Sequence, residues 1–149
     1  MKTIFFFSIL SFTLNSFIGT DAPTFKFSDK AFEVGAIMTR RNISFLDDCH
    51  SKLKPSKTVD SLFNFLKTHP NIKVEIQGHS GKPCETCKGC APSEKAAAAI
   101  RMYLIKKGIE QDRVFAKGYG QTMQLITEGG VKAVKVNERI VFKIIYNKI

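Results

Sequence analysis

The side chains best suited to chemistry in this chain are four cysteines and two histidines. Cys84, Cys87 and Cys90 form a C-x-x-C-x-x-C run, Cys49 stands apart next to His50, and His79 lies just ahead of the run. Three chemistries are open to such a set. Disulfides would join Cys49 to one member of the run and pair the remaining two, which allows three connectivities. A zinc ion would draw on Cys49, His79, Cys84, Cys87 and Cys90, because three thiolates and one imidazole make a recognised tetrahedral set. Thiol exchange would use Cys84 and Cys87, since a nearby helix N-terminus lowers a thiol's pKa. The run lacks a matching second C-x-x-C pair, and Cys90, Ala91 and Pro92 separate Cys87 from the helix that follows. Disulfides are therefore the favoured reading, and no metal or other cofactor is expected. Asp47 and Asp48 are a lone acidic pair. Nothing resembles a Ser-His-Asp set, a pair of hydrolytic carboxylates or a phosphate loop, so no catalysis is expected.

The elements that must position these residues are legible from periodicity. Gly35 to Phe45 reads as a first strand containing the basic pair Arg40 and Arg41. Ser56 can cap a helix whose apolar residues Val59, Leu62, Phe63 and Leu66 recur at i, i+3, i+4 and i+7, and His69-Pro70 ends it. Ile72, Val74 and Ile76 then alternate with Lys73, Glu75 and Gln77, as in a strand with one buried face. Residues 78–91 (GHSGKPCETCKGCA) form a loop. A second helix starts near Pro92, buries Ala96, Ala97, Ile100, Tyr103 and Leu104, and stops at Gly108. Arg113 to Lys117 reads as a short strand. A polar, glycine-rich connection leads to a final apolar strand over Ile140 to Tyr146. The order β-α-β-α-β-β implies an α/β two-layer sandwich, with the helices on one face of a mixed sheet.

The chain's 149 residues suffice for one domain, and 44% hydrophobic content with 13 Phe suffices for a core. Residues 1–22 read as a signal peptide: Lys2 is followed by an apolar run from Ile4 to Phe17 and small residues around Gly19 to Ala22. Residues 23–34 read as a lead-in, and 35–149 as the domain proper. Removing the signal takes away Lys2 and Asp21, so the net charge of +10 survives. That charge draws anionic surroundings such as phosphorylated lipid heads or wall carboxylates. Nothing points to nucleic acid, and no second long apolar run suggests more than peripheral contact with a membrane.

From about Arg41 to Lys148 the chain resembles the C-terminal, peptidoglycan-associating domain of OmpA-like outer-membrane proteins. The carrying motifs are His69-Pro70-Asn71-Ile72 leading into Gly78-His79-Ser80, then Pro92-Ser93-Glu94-Lys95-Ala96-Ala97, Lys117-Gly118-Tyr119-Gly120 and Asn137-Glu138-Arg139-Ile140. The resemblance implies a non-enzymatic, exported domain in the periplasm of a Gram-negative bacterium, at the outer membrane or cell wall. It also implies that Cys49 lies beside the Gly-His loop, within reach of a disulfide.

In the family, an acidic residue in that loop takes the ammonium of diaminopimelate, and an arginine at the helix start takes its carboxylate. Gly81 and Ala96 occupy those two positions here. Each lost bond is worth about 1.5–3 kcal/mol, so peptidoglycan binding is expected to be weak, altered or lost. The implied site positions are His79, Ser80, Gly81, Lys95, Ala96, Asn137 and Arg139; Lys95, Glu85 and Arg139 could rebuild a looser zwitterion site. Restoring both charges (Gly81→Asp with Ala96→Arg) is expected to raise binding. The competing reading is a contact with another envelope protein through the cysteine loop.

Overall fold

A computed structural model describes residues 22–83 and 91–148. Strands β1 (Ile37–Arg40), β2 (Ile72–His79), β3 (Val114–Gly120) and β4 (Arg139–Asn147) alternate with helices α1 (Lys57–Thr68), α2 (Pro92–Lys106) and α3 (Gly130–Asn137). The sheet order is β1-β4-β2-β3. β2 runs parallel to β3 and antiparallel to β4, and β1 is antiparallel to β4. This is the expected mixed sheet with helices.

Alternation along β2 sends Ile72, Val74 and Ile76 into the core. There they meet Val59, Leu62 and Leu66 of α1 and Ala97, Ile100 and Leu104 of α2. The α2 contact is close enough to demand glycine in the sheet. A Cβ on Gly78 would stand 1.8 Å from the Ser93 carbonyl oxygen, and one on Gly118 would stand 2.6 Å from the Glu94 backbone. Those two glycines let the first turn of α2 lie directly on β2 and β3. Gly108, at φ +103°, ends the helix as its position suggested.

Several boundaries differ from the sequence reading, each for a tertiary reason. β1 is four residues long, because only Ile37 to Arg40 find partners on β4. Phe63 of α1 is half-buried beneath Lys67 and Lys107, while Phe65 takes the buried place. Phe65 gathers Phe25, Phe27 and Phe32 around it at ring-centre distances of 5.0–5.7 Å. The lead-in is thus packed into the core, and it is tied to β1 by the Phe25 amide donating to the Ile37 carbonyl and the Ile37 amide donating to the Pro23 carbonyl. The glycine-rich connection before β4 contains α3, which the sequence reading left out. Its eight residues span little more than two turns, too short a stretch to show periodicity. Among the described residues no helix is long and apolar enough to cross a membrane.

Candidate functional site

A cleft of about 680 Å³ opens at the end of the sheet where β2 finishes and β4 starts. Its walls come from segments far apart in the chain. Arg40 ends β1 and the stretch from Arg41 to Phe45 follows it, and His50 and Lys54 come from the next turn. His79 ends β2, Ser93 and Ala96 face in from α2, and Lys135 to Ile140 form the α3–β4 junction. Asp47 shapes the turn by accepting bonds from the Ser51 amide at 3.2 Å and the Lys52 amide at 2.8 Å. The Ser51 hydroxyl bond is the chief reason that its carboxyl titrates below the usual range. The turn presents His50, at φ +57°, stacked 4.8 Å from the Phe45 ring.

His79 lies deepest. His79 is 5% exposed and its ring stacks on Tyr119 at 5.3 Å, and neither ring nitrogen has a hydrogen-bond partner among the described residues. Burial, reinforced by the charge of Arg139, pushes its pKa down to about 4, so the ring is neutral at pH 7. Arg139 is 7% exposed. Its Nη1 donates to the Asn137 carbonyl at 3.0 Å and its Nη2 to the Met123 carbonyl at 2.8 Å. Burial first, and then the nearby Arg41, lower its pKa. Arg41 itself donates through Nε to the Val136 carbonyl at 3.1 Å.

The residues singled out from the sequence separate into groups. His79, Ala96 and Arg139 line the cleft together. Ser80 and Gly81 line a small adjoining recess with Asp48 and His50. That recess places the 48–50 turn beside the Gly-His loop. Lys95 lies on another surface of α2, with Ser51, Ala98 and Met102, and Glu85 falls outside the described residues. Asn137 is 1% exposed and tied to the backbone: its Oδ1 accepts from the Leu125 and Ile126 amides, and its Nδ2 donates to the Ile126 carbonyl. That side chain anchors the loop before α3.

Gly81 corrects one expectation. A Cβ there would stand 2.1 Å from the Val134 carbonyl oxygen of α3. An aspartate at position 81 therefore requires α3 or the loop around position 81 to move, so the double substitution is not the simple restoration of charge that the sequence suggested. Ala96 is 2% exposed and borders the cleft.

Cys49 is half-buried. Cys84, Cys87 and Cys90 lie outside the described residues, and with them both the disulfide and the zinc readings. Among the described residues no three His, Cys, Asp or Glu side chains cluster closely enough to hold a metal.

Sequence reasoning missed Lys54 and Lys135, and noted Arg40 and Arg41 only as a strand feature. The high net charge was the available signal, but no spacing links these four positions.

Comparison with known proteins adds an independent view. The model of the OmpA family matches residues 50–139. The chain is 32% identical over 87 residues to the photosystem I P700 chlorophyll a apoprotein A2 of Gloeobacter violaceus, covering 58% of this chain and 10% of that protein. It is 28% identical over 93 residues to outer membrane porin F of Pseudomonas aeruginosa, covering 60% of this chain and 27% of the porin. The chain thus spans about a tenth and about a quarter of these relatives' lengths. Among solved structures, the peptidoglycan-associated lipoprotein from Burkholderia pseudomallei superposes with a TM-score of 0.53 at 19% identity, covering 67% of this chain and 80% of the other. At that identity the likeness is one of fold.

Proposed function

This chain belongs to the OmpA family, and from that premise we propose that it is a non-enzymatic anchoring domain, exported by residues 1–22 to the periplasm of a Gram-negative bacterium. Its partner in this reading is peptidoglycan, met from a position peripheral to the outer membrane, with a grip weaker than the family's own. Support comes from the family match, the likeness to an outer-membrane porin and the fold shared with a peptidoglycan-associated lipoprotein.

The observation that carries the weaker grip is Gly81. Capture of a zwitterionic ligand needs a carboxylate for the ammonium and a guanidinium for the carboxylate. The first is missing where the Val134 backbone fills the space, and the second is missing at Ala96. The cleft's own carboxylate, Glu138, stands among cations.

Co-sedimentation with purified peptidoglycan sacculi tests this. The protein is expected to be retained weakly beside a family member that carries both charges, and Ala96→Arg alone is expected to give little gain. Tight capture of a diaminopimelate-bearing muropeptide by the unmodified protein would overturn the reading.

A further inference from the structure

Five cations border the cleft (Arg40, Arg41, Lys54, Lys135 and Arg139) against the single carboxylate of Glu138. The ion pairs among the described residues, Lys73–Asp112, Lys107–Asp60 and Arg113–Glu110, include none of them. Arg40, Arg41 and Arg139 donate to backbone carbonyls through only part of each guanidinium. A guanidinium has five N–H groups, so donors remain on all three. Bringing five cations together around one carboxylate is unfavourable, and the repulsion that Arg41 exerts on Arg139 expresses it.

A second observation points the same way. His79 is 5% exposed, lines the same cleft, and has both ring nitrogens without a partner among the described residues. A buried polar group without a partner is unfavourable, and a ligand atom in the cleft would relieve it. The volume, about 680 Å³, suits a small-molecule headgroup.

We propose that this cleft is a binding site for a phosphate group carrying two negative charges, held by Arg41, Lys135 and Arg139 with His79 donating to one phosphate oxygen. Phosphate suits the site better than a single carboxylate, because its several oxygens can be shared among the guanidinium groups of Arg41 and Arg139 and the ammonium of Lys135, which approach from three different segments. An ammonium-bearing ligand is disfavoured by the same five charges. The proposal rests on the reading of this cleft as the family's binding face, but not on retention by peptidoglycan.

The test is calorimetric titration of the purified protein with inorganic phosphate and with pyrophosphate at low salt. Vesicles of phosphatidic acid, phosphatidylglycerol and phosphatidylcholine form a second arm. Saturable binding of pyrophosphate is expected, weakened about tenfold in Arg139→Gln and severalfold in the exposed variants Arg41→Gln and Lys135→Gln. In the exposed variants folding is not at issue. On binding, the His79 ring proton signals should report a pKa well above about 4. Preference for phosphatidic acid, displaced by pyrophosphate, would identify a lipid headgroup as the source; binding of the free anions alone would identify a soluble phosphate. No saturable binding of either anion overturns the proposal. So does binding that all three variants leave unchanged, or equal binding to both anionic lipids regardless of variant. Loss of sacculus retention with anion binding intact would sink the wall reading alone.

Discussion

Two buried arginines sit at opposite ends of the same sheet and live very differently. Arg113, 8% exposed, donates through Nε and Nη2 to the carbonyls of Leu66, His69 and Ile72 and pairs through Nη1 with Glu110 at 3.1 Å. It closes the end of α1 onto the start of β2. Arg139, about as buried, stands across from His79 on β4, and among the described residues it has two carbonyl bonds and no carboxylate partner. The two ends are roughly 23 Å apart at about 3.3 Å per residue along β2. At the first end the charge is absorbed by the fold. At the second it is left over, next to an unpartnered histidine and an open cleft. A burial figure alone would not have told them apart; the partner count does.

Removing Arg113 should have the largest effect. Arg113→Met strands three carbonyls and should lower stability by about 3–5 kcal/mol in urea unfolding. A loss below about 1 kcal/mol would erase the contrast between the two ends.

The next effect is one of pH. His79 has a folded pKa of about 4 against an ordinary 6.5, so the unfolded chain binds its proton more readily. Its contribution is fully present above pH 6.5 and is lost as pH falls toward 4, about 3 kcal/mol over the whole window. Unfolding free energies measured across that range should slope less steeply in His79→Gln than in the parent. Identical slopes would mean that the ring is not held neutral by the fold.

Arg139→Met should change stability least, by about 1–2 kcal/mol, because it strands only the Asn137 and Met123 carbonyls and relieves the repulsion from Arg41. A loss as large as that of Arg113→Met would show that its two carbonyl bonds hold the α3–β4 junction together, and would make the two arginines alike.

The helices and the central strands were legible because their signals are local. The period-2 pattern of Ile72, Val74 and Ile76 and the helical spacing of Val59, Leu62 and Leu66 need no distant partner to be read. The exchange of Phe63 for Phe65 was not legible. Both residues lie near the helix's apolar stripe, and only the arrival of Phe25, Phe27 and Phe32 decides which is covered. The short α3 was hidden for a similar reason: its eight residues are held by the Asn137 anchor and the neighbouring loop more than by an apolar face of their own.

The site divides along the same line. Gly81 and Ala96 were visible in the sequence as two uncharged residues at positions where the family carries charges. That Gly81 is closed by the Val134 backbone became apparent only in three dimensions, since the contact joins residues far apart in the chain.

By itself the sequence determined the order of the four strands and the two longer helices, the buried face of β2 and the excess of positive charge, because backbone periodicity and composition are properties of short stretches and simple sums. The tertiary structure decided where that charge goes. Arg40, Lys54, Lys135 and Arg139 meet at one cleft only because β4 is laid antiparallel between β1 and β2, which brings the start of one strand to the end of the others.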